Sequence, residues 1–146
     1  MSEFEPNNPD FVAAVKRSFD RQGLMHTLGI EIARIEPGVV ELRVPFSERV
    51  AQQHGYFHGA LIGAAMDSAG GYAGLSLMPP GSEVLSTEYK INFVAASAGE
   101  ALFACGRVIK PGRSITVTEV RAWCLRDGIR TLSAVMLQSL IRIDAR

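Results

Sequence analysis

Asp67 is the one formally charged side chain between Arg49 and Glu83, and the residues around it in AAMDSAGGYAGL are small or apolar. A carboxylate is costly to bury, so one placed in such a stretch is a candidate for chemistry, as general base or as nucleophile. The structural alternative is a carboxylate satisfied by a nearby hydroxyl such as Ser68. Eight residues upstream, His58-Gly59 stands where the chain enters the apolar stretch. A helix starting there has free first-turn N–H groups and turns the positive end of its dipole toward whatever binds. Gly59, with no Cβ, lets a carbonyl approach that backbone closely, which describes an oxyanion hole; the competing role is tight helix packing. Eight helical residues span about 12 Å, so one chain cannot bring Gly59 and Asp67 to one carbonyl. Two such helices running antiparallel across a dimer interface would pair each carboxylate with the other chain's donor.

The elements that must hold these groups are legible from periodicity. Residues 9–22 read as an amphipathic helix capped by Asn8 or Asp10, with Phe11, Val15 and Phe19 on one face, flanking the rest. Residues 30–35 and 39–46 read as strands separated by Glu36-Pro37-Gly38, the second alternating Val40, Leu42, Val44 and Phe46 with Glu41, Arg43 and Pro45. The apolar helix then runs until Pro79-Pro80-Gly81 stops it. After it, Leu85, Thr87, Tyr89, Ile91 and Phe93 alternate with Ser86, Glu88, Lys90 and Asn92, the cleanest strand pattern in the chain. Residues 101–110, 114–125 and 131–143 complete the set, broken at Pro111-Gly112 and Asp127-Gly128.

Runs of strands with one long helix imply an α+β domain whose antiparallel sheet curls around that helix. A helix apolar on nearly every face asks for more cover than one sheet supplies, so a second subunit is expected to bury the remainder. At 146 residues the chain has the length of one domain, here residues 1–146 with residues 1–27 as an N-terminal helical flank.

Fifteen lysines and arginines balance fifteen aspartates and glutamates, so no net field draws the chain to nucleic acid or an anionic membrane. Cys105 and Cys124 lie in expected strands without zinc-type spacing and read as reduced core residues. The N-terminal MSEFEPNNPD lacks the basic and apolar regions of a secretory leader, and a cytoplasmic location is expected. Residues 55–78 are apolar enough to suggest a membrane span, but an aspartate at mid-segment costs about 2.5–3.5 kcal/mol on insertion and no cationic cluster flanks it. His54 and His58, four apart, lack a third ligand for a metal. The turn Lys110-Pro111-Gly112-Arg113-Ser114 combines two cations with a flexible backbone, suited either to holding phosphates or to forming a solvated hairpin end.

The run Gln52-Gln53-His54-Gly55-Tyr56-Phe57-His58-Gly59-Ala60, with Asp67 eight beyond Gly59, resembles the signature of the hotdog-fold acyl-CoA thioesterases of the PaaI-like, phenylacetate-pathway type. The segments 86–93 and 110–114 resemble that family's long strand and following turn, so the likeness spans roughly residues 28–143. It implies hydrolysis of an acyl-CoA to a free acid and coenzyme A by a cytoplasmic homo-oligomer, dimer or tetramer, without metal or redox cofactor. It further implies Asp67 as the catalytic carboxylate, as base or nucleophile, and Gly59 N–H as the oxyanion donor. Gln52, with Gln53 as its neighbour and alternative, would orient thioester or water; His58 would support the loop or the carbonyl, and Ser86 would position the nucleophile. The 110–114 turn, through Lys110, Gly112, Arg113 and Ser114, would border the coenzyme A arm, with Phe93 lining the same channel. The family often carries Asn at position 52 and Gly at position 60, where this chain has Gln and Ala. Two other activities compete: a hotdog hydratase or dehydratase, whose differently spaced acidic residue is not found here, and a non-catalytic acyl-CoA binding or sensing module, against which Asp67 speaks. Leu61, Ile62, Met66, Tyr72 and Met78 suit either an acyl pocket or a core.

Overall fold

A computed structural model describes residues 3–146; Met1 and Ser2, the start of the acidic N-terminal stretch, lie outside them. The N-terminal region forms not one helix but two, α1 (Phe11–Asp20) and α2 (Gly23–Leu28). Val15 and Phe19 of α1 are buried as the spacing predicts, but neither expected cap acts on the helix: Asp10 makes no side-chain cap, and Asn8 Oδ1 accepts from the Asp10 amide instead. The unpredicted α2 is anchored by the buried Met25 and ends at Gly29, whose φ of 69° is the left-handed conformation that glycine supplies at helix ends.

Six strands follow: β1 (Glu31–Glu36), β2 (Val39–Pro45), β3 (Ser82–Phe93), β4 (Ala101–Lys110), β5 (Ile115–Arg126) and β6 (Ile129–Asp144). All neighbouring pairs are antiparallel, in the order β1-β2-β4-β5-β6-β3. Asp127 and Gly128 both have positive φ, at 51° and 78°. That is the two-residue hairpin turn whose twist matches the strands it joins. It lets β5 and β6 pair from Arg126 and Ile129 onward, so β6 starts two residues before expectation.

The long helix α3 (Gly59–Leu75) lies against this sheet, which wraps around it as the hotdog resemblance implies. It ends four residues before Pro79, so the prolines are not what stops it. The stop is tertiary: Ser76 Oγ donates to Ala73 O at 2.6 Å and accepts from Gly38 N at 2.8 Å, tying the helix end to the β1–β2 turn. Among the described residues no helix is long and apolar enough to cross a membrane.

Twelve of the seventeen α3 residues are already buried within one chain, and the exceptions are Gly59, Ala60, Ala64, Asp67 and Ser68. The remainder left for a partner to bury is small. The curled sheet covers its apolar faces, and α1 closes one side through Phe19 against Tyr72, their ring centroids 6.0 Å apart. What stays uncovered is a narrow stripe of small and polar residues that includes Asp67.

Glycines let the helix sit low on the sheet. Inward residues of β6 recur every two positions, about 6.7 Å, close to the 6 Å of four helical residues. Gln138 and Leu140 accordingly meet Gly70 and Gly74, where an added Cβ would overlap the Gln138 amide oxygen and a Leu140 methyl. At position 70 the Cβ would also crowd Thr118 and Val120, short side chains that cannot swing clear. Gly70→Ala gains about 1 kcal/mol of helix propensity but overpacks a site where such insertions cost about 3 kcal/mol. The expected net result is a melting temperature lower by roughly 5 °C; a thermal melt showing a rise would mean that β6 yields easily.

Candidate active site

His58 caps α3. Its Nδ1 accepts from Ala60 N at 2.9 Å, and its backbone is extended (φ −66°, ψ 138°). A nitrogen that accepts here carries no proton, so the ring proton sits on Nε2. The entry is braced from both sides, with Phe57 N donating to Ser97 O and His58 N to Val50 O, each at 2.9 Å. The Ala60 amide is thus used by the cap, while no acceptor among the described residues takes the Gly59 amide. At the positive end of a 17-residue helix with no acidic residue in its first turn, that N–H can hold a developing oxyanion.

Gln52 sits in the turn that precedes the helix entry. Its Oε1 accepts from the backbone amides of His54 and Tyr56, and its own N–H donates to Tyr56 O at 2.8 Å. The side-chain oxygen therefore braces the 52–56 turn, and only its N–H₂ end is left to meet a ligand. Gln53 is exposed, with no hydrogen-bond partner among the described residues.

Asp67, half-buried in mid-helix, is satisfied not by Ser68 but from the sheet. Its Oδ1 accepts from Ser86 Oγ at 2.5 Å and from Gln138 Nε2 at 2.6 Å. Ser86 reaches it because of a β-bulge. Ser86 opposes Leu140 and Glu88 opposes Ser139, leaving Thr87 as the extra residue. Beyond the bulge Phe93, Ile91 and Tyr89 turn toward α3; before it Ser86 and Val84 do. Strict alternation puts Leu85 and Thr87 on the Phe93 face and Ser86 on the other, so the bulge reverses the expected faces and re-aims the hydroxyl. Leu85 in consequence points outward and is half exposed.

The resulting ladder runs antiparallel along α3: Phe93 beside Gly59, Tyr89 near Gly63, Ser86 on Asp67, Val84 near Gly71. A pocket of about 310 Å³ opens on the Asp67–Ser86 pair and is bordered by Tyr72, Glu83, Ser18 and Gln22. Tyr72 Oη is held by Ser18 Oγ at 3.2 Å and Gln22 Nε2 at 2.5 Å. Burial pushes the Tyr72 phenol above its usual range, so it stays a neutral hydroxyl. Of the apolar side chains with two expected uses, all five belong to the core; Tyr72 also borders this pocket, and Met78 lies just past the C-terminal end of the helix, opposite the end at Gly59.

The 110–114 turn lies at that opposite end. Pro111, Gly112 and Arg113 border a cavity of about 330 Å³ with Gly74, Met78 and Phe4. Gly112 is needed for the turn itself, since a Cβ there would overlap the Ile115 carbonyl. Lys110, Arg113 and Ser114 are exposed. Phe93 stands at the N-terminal end of α3, roughly 24 Å away by helix length, so within one chain it shares no channel with the turn. Sequence and fold therefore collect Asp67 and Ser86 in one place, Gly59, His58 and Phe93 in a second, and the cationic turn in a third.

Gln138 is the member of the Asp67 cluster that sequence reasoning missed. Its signal was a polar side chain at an inward position of β6, between Ala134 and Met136 on one side and Leu140 on the other. Both cysteines are buried free thiols, and burial raises their pKa values. Among the described residues no three His, Cys, Asp or Glu side chains gather as a metal site.

Comparison with known proteins identifies the family and the fold. Residues 54–130, slightly more than half the chain, match the thioesterase superfamily. A crystal structure of a thioesterase family protein from Silicibacter pomeroyi superposes with a TM-score of 0.90 at 38% identity, covering 92% of this chain and 99% of that one. A 1,4-dihydroxy-2-naphthoyl-CoA hydrolase of Listeria monocytogenes is 28% identical over 99 residues, 68% of this chain and 80% of the hydrolase. The PaaI protein of the E. coli phenylacetic acid degradation operon shares the fold, with a TM-score of 0.81 at 18% identity over 95% of this chain and 97% of its own. With its curled antiparallel sheet, its central helix and this match across the site, the chain belongs to the thioesterase superfamily and has the hotdog fold of the PaaI-like thioesterases.

Proposed function

We propose that this protein hydrolyses an acyl-CoA thioester to the free acid and coenzyme A, in sites shared between two copies of the chain. The observation that carries the reading is the division of α3: an open amide at Gly59 and a carboxylate at Asp67 on one rigid helix, too far apart to serve one carbonyl alone. In the shared site the Gly59 N–H of one subunit polarises the thioester carbonyl. Asp67 of the other subunit either takes a proton from a water that attacks the carbonyl carbon, or attacks that carbon itself to form a mixed anhydride that water then hydrolyses to the acid. In both cases the C–S bond breaks, and the thiolate leaves and takes up the proton that the water gives up. A thiolate is a good leaving group, so positioning, one oxyanion donor and one carboxylate suffice without a cofactor.

His58 keeps the Gly59 amide presented, Gln52 stiffens the turn before it and offers its N–H₂ group, and Ser86 steadies Asp67. Lys110 and Arg113, with the backbone of Gly112 and Ser114, meet the coenzyme A phosphates. The antiparallel pairing that joins Asp67 to a partner's Gly59 also carries the cationic turn of one chain toward the other chain's Phe93. Self-association is supported by the position of β3 at the edge of the sheet and by the side chains of Tyr89 and Phe93, 47% and 53% exposed beside α3.

Thiol release from a panel of aliphatic and aromatic acyl-CoAs tests the reading. Turnover of at least one member is expected, with an aromatic acyl group as the first choice because the Listeria relative is named for one. Tight binding of the panel without thiol release would replace the enzyme by an acyl-CoA binding module.

A further inference from the structure

We infer that Gln138 is a positioning residue for Asp67 and that, with Ser86, it selects Oδ2 as the oxygen that acts on the thioester. This rests on the hydrolase reading above and deepens it. The side chain is 1% exposed and 71 residues from Asp67 in sequence, yet its Nε2 donates to Asp67 Oδ1 at 2.6 Å, with Asp67 O at 3.1 Å and Ser86 Oγ at 3.0 Å also within reach.

The orientation of the amide is dictated. Two Asp67 oxygens face one end, and only N–H₂ can donate to them. The other end, Oε1, accepts from Thr118 Oγ1 at 2.9 Å, a hydroxyl that is itself fully buried. Gly70 leaves the space that this end occupies. A buried amide satisfied at both ends is a rigid part, so three strands, β3, β5 and β6, converge on one carboxylate oxygen. Oδ1 has two donors, and Oδ2 has none among the described residues. Oδ2 is therefore the atom with lone pairs available to a water or a carbonyl carbon.

Without the Gln138 donor, Asp67 Oδ1 keeps only Ser86, so the carboxylate can turn and Oδ2 is no longer held in one place. That costs kcat, while KM, set by contacts to the rest of the substrate, stays near the wild-type value.

The test compares wild type, Asp67→Asn, Gln138→Met and Thr118→Val on the acyl-CoA that wild type turns over best. Gln138→Met is expected to lower kcat about tenfold or more with KM within about twofold of wild type. Thr118→Val removes only the anchor of the amide and keeps the side-chain volume, so it remains informative if Gln138→Met does not fold; it is expected to lower kcat in the same way by less. Added to Asp67→Asn, either substitution is expected to change the residual rate little, whereas a smaller active fraction lowers the rate in both backgrounds. Active wild type, inactive Asp67→Asn and an unchanged kcat in the folded variants overturn the role of Gln138 alone. Wild type without hydrolysis on any substrate overturns both this inference and the reading beneath it.

Discussion

Asp67→Asn is expected to lower kcat/KM for acyl-CoA hydrolysis by about a thousandfold, within the range set by loss of a general base, while the thermal melt stays near that of wild type. The substitution preserves shape. Asn Oδ1 can still accept from Ser86 Oγ and Gln138 Nε2, which now hold the carboxylate Oδ1. The new amide nitrogen then takes the place of Oδ2, where it can neither accept a proton nor attack a carbonyl. Fold and packing should survive because all the contacts that anchor the side chain survive. Thiol release and a melting curve on the same preparation check both halves; activity close to wild type would remove Asp67 from the mechanism without removing the hydrolysis.

Gly59→Pro is the second large effect, expected to cost about a hundred- to a thousandfold in kcat, as loss of one oxyanion donor does. Proline at the first helical position lacks only an N–H that has no helical acceptor. His58 already has the extended backbone that a residue before proline needs. An ideal Cβ at position 59 would lie 3.3 Å from Phe93 Cζ, and this ring, 53% exposed, has room to give. The helix should therefore form with its key donor deleted.

Mixing this variant with Asp67→Asn under subunit exchange tests the shared site. In a dimer with antiparallel helices, a mixed pair has one site with both defects and one with neither. Random mixing makes about half the dimers mixed, so about a quarter of wild-type activity should return from two nearly inactive parents. No recovery, with exchange demonstrated, would confine each site to one chain and contradict the spacing argument.

The reach of the sequence can be traced residue by residue. The existence and order of the strands, the Asp127-Gly128 break and the start of α3 at His58-Gly59 were legible because each depends on neighbours a few positions away. The end of α3 was not, because Ser76 is recruited by the Gly38 amide, 38 residues earlier. Which residues of β3 face α3 on the two sides of Thr87 was not legible from alternation, because the bulge there depends on how Ser86 and Glu88 register against β6. How little of α3 is left for a partner to cover was not legible, because the curl of a sheet and the docking of α1 do not appear in a local pattern.

For the site, the sequence by itself determined that one carboxylate and one helix-start glycine stand eight residues apart in an apolar helix, and hence that they lie about 12 Å apart along it. A rigid rise per residue makes that inference possible without a fold. Only the tertiary structure decided which groups hold the carboxylate, which of its oxygens stays open, and that Phe93 and the cationic turn stand at opposite ends of the helix. Those outcomes depend on strand register, a single bulge and side chains brought together across 71 residues of chain, and no local pattern encodes such distances.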